Sequence, residues 1–78
     1  MIFLIQYDRS SGSIVEMQTF QSSERRKADD SRLAIELDLN RQGIEREVVL
    51  LEAANEDALR QTHRRYFENF RQLTKSPA

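Results

Sequence analysis

The run Ile2-Phe3-Leu4-Ile5-Gln6-Tyr7 places apolar side chains on both sides of an extended chain. Its β-branched and aromatic content suits a strand with neighbours on either side better than a short helix. Such a strand belongs at the centre of a sheet, and the remaining elements have to be arranged around it. Arg9-Ser10-Ser11-Gly12 follows with turn chemistry, Gly12 being free to take positive φ. Ser13 to Phe20 then reads as a second strand, in which Val15 and Met17 point one way and Glu16 and Gln18 the other. Together the two segments predict a β-hairpin.

Gln21-Ser22-Ser23 ends the hairpin and offers Ser22 or Ser23 as a helix N-cap. The next twenty residues have two readings. As a strand, Leu33, Ile35, Leu37 and Leu39 alternate with Ala34, Glu36 and Asp38. As a helix, Ala28, Ile35 and Leu39 share one face, while Leu33 and Leu37 fall on nearly the opposite side. The helix is preferred. Ser23 to Ala28 is good helical material, and Asn40-Arg41-Gln42-Gly43 resembles a helix end with glycine just beyond it. The strand reading would also leave a long structureless loop after Gln21. The two-faced helix has two explanations: Leu33 and Leu37 form an exposed stripe that docks on a partner or second protomer, or the helical wheel is rotated or the segment partly extended.

Ile44 to Ala53 contains Val48-Val49-Leu50-Leu51 and reads as a third strand. Asn55 is placed to cap a final helix, with Glu56 and Asp57 against the positive end of its dipole. That helix is expected to run to about Leu73, and residues 74–78 to form a frayed tail. The expected architecture is a single α+β domain over residues 1–73, in the order β-β-α-β-α. A right-handed crossover makes the third strand parallel to the second, so its place is beside the first. The sheet is then three-stranded and antiparallel in the order 2-1-3, with two helices on one face. That arrangement leaves the other face uncovered and the edge strand open at Val49 and Leu51. A homodimer, formed by sheet edge or sheet face, is the expectation it generates.

With 78 residues the chain makes one small domain with a thin core. Twelve basic against thirteen acidic residues leave a net charge of −1, which argues against a globally basic nucleic-acid binder. Cysteine is absent, removing disulfides, thiolate nucleophiles and cysteine-based metal sites. No basic leader or long apolar run is present, so the expectation is a cytoplasmic protein without membrane contact.

The predicted last helix holds the candidates for chemistry. Leu59, His63, Tyr66, Phe67, Phe70 and Leu73 fall on one side of a helical wheel, with Arg60, Arg64 and Arg71 along its flank and Arg65 on the far side. His63, the only histidine, reads either as a general base or, better, as a packed histidine, because no nucleophile or second metal ligand accompanies it. Arg60, Arg64 and Arg71 beside Tyr66 and Phe67 suit a single-stranded nucleic acid or a phosphorylated ligand. Yet those aromatics are also needed to fill the core. Arg25 and Arg26, at the start of the first helix, mark a possible anion site, set against solvation or pairing with Asp29 and Asp30. Glu45, Glu47 and Glu52 decorate the third strand, where Glu45 and Glu47 would share a face, and read as solubilising charge. Neither a metal site nor a cofactor is expected. The resulting expectation is a small non-catalytic module, homodimeric and binding another protein, with nucleic-acid or phosphate-ligand binding as the alternative.

Overall fold

The computed structural model describes residues 1–67. In chain order the elements are β1 (Ile2–Asp8), β2 (Ser13–Phe20), α1 (Arg25–Gln42), β3 (Glu47–Glu52) and α2 (Glu56–Thr62). Single 3₁₀ turns at Ser22–Glu24 and Arg64–Tyr66 lead into α1 and out of α2. The three strands form one antiparallel sheet in the order β2-β1-β3, as the crossover argument requires. β1 is buried from Ile2 through Tyr7, which is what its two apolar faces demand.

β1 pairs with β3 without interruption, from Ile2 opposite Glu52 to Tyr7 opposite Glu47. Against β2 the register slips by one after Gln6: Gln6 faces Glu16, but Tyr7 faces Ile14. Val15 is therefore an extra residue in β2. This bulge corrects the expected alternation, since an inserted residue reverses the faces beyond it. Ile14 and Met17 now pack on one side, against the core of Phe3, Ile5 and Tyr7. Val15 is 46% exposed on the other, where it shares a groove with Ile35 and Leu39.

The helices take opposite faces of the sheet, which corrects the expectation of one shared face. Phe3, Ile5 and Tyr7 pack with Leu59 of α2 and with Tyr66, bordered by Val49, Leu51 and Phe67. Ile2 and Leu4 pack with Phe20 and with Ala28 of α1, bordered by Ile35, Val48 and Leu50. The reason lies in β1. Two helices on one side would leave either Phe3, Ile5 and Tyr7 or Ile2 and Leu4 against water, at roughly 1.5–3 kcal/mol per large side chain. With a helix on each side, the uncovered face that called for a second protomer disappears.

Residues 33–39 lie within α1, so the strand alternative is excluded. The start of the helix differs in detail. Ser22 and Ser23 belong to the preceding 3₁₀ turn, and the capping contact is the Gln21 N–H donated to Glu24 Oε1 at 2.9 Å. At the other end Gly43 takes φ 70°, as expected of a glycine beyond a helix. Its N–H bonds the Asn40 carbonyl at 3.2 Å, and the Ile44 N–H bonds the Leu39 carbonyl at 2.9 Å. Asn55 caps α2 as expected, its Oδ1 accepting the Ala58 N–H at 2.8 Å.

The length of α2 is a correction. It stops at Thr62 instead of running to about Leu73, and His63 leaves the helix at φ −126°, ψ 53°. No glycine or proline marks the break. The Thr62 hydroxyl donates back to the Ala58 carbonyl at 2.9 Å, a bond that competes with helix continuation, and the next turn is held by contacts outside the segment. The remainder of the expected helix, with Phe70, Arg71 and Leu73, and the tail at 74–78 lie outside the described residues.

These assignments predict a sharp contrast in urea unfolding. Ile5→Ala should lose about 2–5 kcal/mol, a large part of what so small a domain has, whereas Val15→Ala should stay within about 0.5 kcal/mol. Gly43→Ala should cost about 1–2 kcal/mol from backbone strain alone, because a Cβ there meets nothing within 4 Å.

Candidate interaction surfaces

Glu47 opens β3 opposite Tyr7, and its side chain is only 15% exposed. Partly desolvated carboxylates need partners. Arg9, from the β1–β2 turn, meets Glu47 Oε1 at 2.9 Å, and Arg65, from the last 3₁₀ turn, meets Oε2 at 3.3 Å. The bond from Arg9, with a further one from the Tyr66 hydroxyl, holds the Glu47 carboxyl below its ordinary range despite partial burial. Tyr66 is pushed the opposite way, first by burial and then by donating to Glu47. Arg65 also lies over the Tyr66 ring at 4.6 Å, and Tyr66 meets Tyr7 edge-on at 5.2 Å. One carboxylate thus ties the hairpin turn, the edge strand and the turn after α2 together. Sequence reasoning missed this cluster: Glu47 read as surface charge and Arg65 as projecting away. No spacing could have found it, because its members come from three separate elements.

Beside Glu47 an open groove of about 710 Å³ is lined by Asp8, Arg9, Ser10, Glu45, Arg46 and Glu47. Apart from Glu45, its side chains bond one another or the sheet. Asp8 Oδ1 accepts from the Ser10 N–H at 3.0 Å and hydroxyl at 2.7 Å, which lowers its pKa, and Arg46 donates to Gln6 Oε1 at 2.5 Å. Glu45 precedes β3, so the expected side-by-side placement of Glu45 and Glu47 on one strand face is not formed. Among the described residues no group of three histidines or carboxylates is arranged to hold a metal ion.

The residues singled out on the last helix are separated by its early end. Arg60 pairs with Glu56 at 3.5 Å and covers the Phe67 ring at 4.6 Å. His63 is half-buried at the break, its N–H bonded to the Leu59 carbonyl at 2.8 Å and its carbonyl accepting from Tyr66 at 3.3 Å. Arg64 is exposed in the following turn, and Arg71 lies outside the described residues. Arg60 and Arg64 therefore do not share one helical stripe. Tyr66 is buried and Phe67 half-buried beneath Arg60, which leaves neither ring open for a base to stack on.

At the start of α1, Arg25 bridges Asp29 at 3.9 Å and Glu52 at 3.4 Å, while Arg26 is exposed. Val49 and Leu51 do lie on an edge strand, but they face the core beneath α2. A lysine at either position would therefore perturb folding before it reported on any interface.

The outward face of α1 is different in kind. Leu33 and Leu37 are 54% and 55% exposed, one turn apart, on a helix whose other side buries Ala28 and Leu39. Both leucines are thus exposed on a segment that is helical throughout. Among the described residues no helix is long and apolar enough to cross a membrane. Compared with known proteins, the chain matches no family model, and no curated protein or solved structure is significantly similar to it.

Stability should vary with pH as the Glu47 cluster dictates. A lowered carboxyl pKa gives stability that is complete above the ordinary glutamate value of 4.5 and lost as pH falls through the lower folded value. A raised tyrosine pKa gives stability that is complete below 10.0 and lost as pH rises through the higher folded value. Thermal midpoints measured from acid to alkali should therefore fall at both ends. Glu47→Gln should reduce the acid limb, leaving the part due to Asp8.

Proposed function

We propose that the chain is a non-catalytic module that works by binding another protein, with the outward face of α1 as the contact surface. The observation that carries this reading is the pair Leu33 and Leu37, each more than half exposed although α1 has a complete buried face of its own. Two leucines on one helical turn are a poor use of surface unless something covers them, and covering each recovers roughly 1.5–3 kcal/mol. Support also comes from the groups with shifted ionisation. Glu47, Tyr66, Arg9 and Asp8 all bond to one another or to adjacent turn residues, as structural ties do.

A photo-reactive residue in place of Leu37, in the full chain inside the cells that make it, tests the reading. Covalent protein adducts are expected from that position and not from the exposed control position Gln61. Equal labelling from both positions, or adducts to nucleic acid only, would overturn it. Leu33→Glu with Leu37→Glu should leave the thermal midpoint within a few degrees, as exposed positions do, while abolishing the adducts.

A further inference from the structure

We infer that the occupant of this face is a second copy of the chain, packed α1 against α1 in antiparallel orientation; the inference rests on the reading of α1 as the contact surface. It comes from the charges that border the stripe. Arg25, Lys27 and Arg32 on α1 are ion-paired within the chain, to Asp29 and Glu52, to Glu24 and to Glu36, and Asp38 accepts a hydrogen bond from Gln42. Arg26, in the first turn, is exposed and in no ion pair among the described residues, and so are Asp30 and Arg41. At about 100° per residue both fall on the same flank of the stripe, Asp30 before Leu33 and Arg41 after Leu37.

The order acid, leucine, leucine, base is symmetric about one point. The midpoint of Leu33 and Leu37 lies within about one residue of the midpoint of Asp30 and Arg41. A twofold axis through that point, perpendicular to the helix, keeps each flank on its own side and reverses direction along the axis. It sets Leu33 against Leu37 of the second copy, and Asp30 against Arg41 of the second copy, twice over. A parallel twofold arrangement would instead carry each flank to the opposite side of the interface, so that Asp30 and Arg41 would find no partner in each other. The charges therefore select the antiparallel pair. One helix face is small beside a standard interface, so the dimer belongs to the weak, concentration-dependent class.

Light scattering on a sizing column, across a concentration series of the full chain, tests this. The mass should rise from 9.2 kDa toward twice that value as concentration increases. Asp30→Arg alone and Arg41→Asp alone each bring like charges together twice and should weaken the dimer about tenfold, and the double exchange should restore it to within about threefold. Thermal midpoints of the three variants check that the folded monomer is intact. Because the chain has no cysteine, a mixture of Asp30→Cys and Arg41→Cys chains should form a mixed disulfide. Arg41→Cys alone should not, its two copies lying about 16 Å apart along the axis.

A monomer at every concentration overturns the self-pairing and leaves the α1 surface to another protein. Loss of the dimer in Leu33→Glu with Leu37→Glu, but no rescue by the double exchange, overturns the antiparallel register alone. A dimer untouched by the leucine variants overturns both the inference and the contact surface it rests on.

Discussion

Burial of β1 on both faces is the constraint from which the rest of the fold follows. Ile2 and Leu4 point to one side, and Phe3, Ile5 and Tyr7 to the other, and a short domain has no spare layer to cover either. A strand apolar on both sides needs a strand at each edge and a helix over each face. Those requirements account for β2, β3, α1 and α2. The pairing of β1 with both neighbours is antiparallel, so the hairpin closes with a short turn and the crossover through α1 supplies the third strand.

The two helices meet that requirement unequally. α1 is long, closed at Gly43, and covers its face with Ala28 and Leu39 and the half-buried Ile35. α2 has only seven residues and buries Leu59, so the face it covers is completed by Tyr66 in the turn that follows. A 3₁₀ turn has little stability of its own. The Glu47 cluster is what fixes it, since Arg65 and Tyr66 both reach Glu47 from that turn while Arg9 reaches it from the hairpin. The ion pairs are individually weak where exposed, but here they share a carboxylate with little access to solvent and a tyrosine packed against Tyr7.

Local chemistry was legible in the sequence wherever it acts within a few residues. Gly12 and Gly43 mark the positive-φ turns, Asn55 marks a cap, and the apolar run of β1 marks the central strand. The opposite placement of the helices was also written there, because Ile2 and Leu4 alternate with Phe3, Ile5 and Tyr7; giving both helices to one face ignored half of that pattern. The bulge at Val15 and the end of α2 were not legible. Both depend on what Tyr7 meets across space, Ile14 in one case and Tyr66 in the other, and neither carries a glycine or proline as a marker. For the same reason the helical wheel drawn through Arg60 and Arg64 grouped residues that share no helix.

Of the residues that looked functional in the sequence, Tyr66, Phe67 and Arg60 are ones the fold uses to hold itself together. Tyr66, Phe67, Arg60, Arg65 and Glu47 close the α2 side of the sheet, and a ligand recruiting them would have to displace contacts the domain relies on. Leu33 and Leu37 are in the opposite position. They contribute little to the folded monomer, which is why the proposed contact surface is placed on them. In a domain this thin, the division is informative: the residues that the monomer does not need are where its interactions with other chains are to be sought.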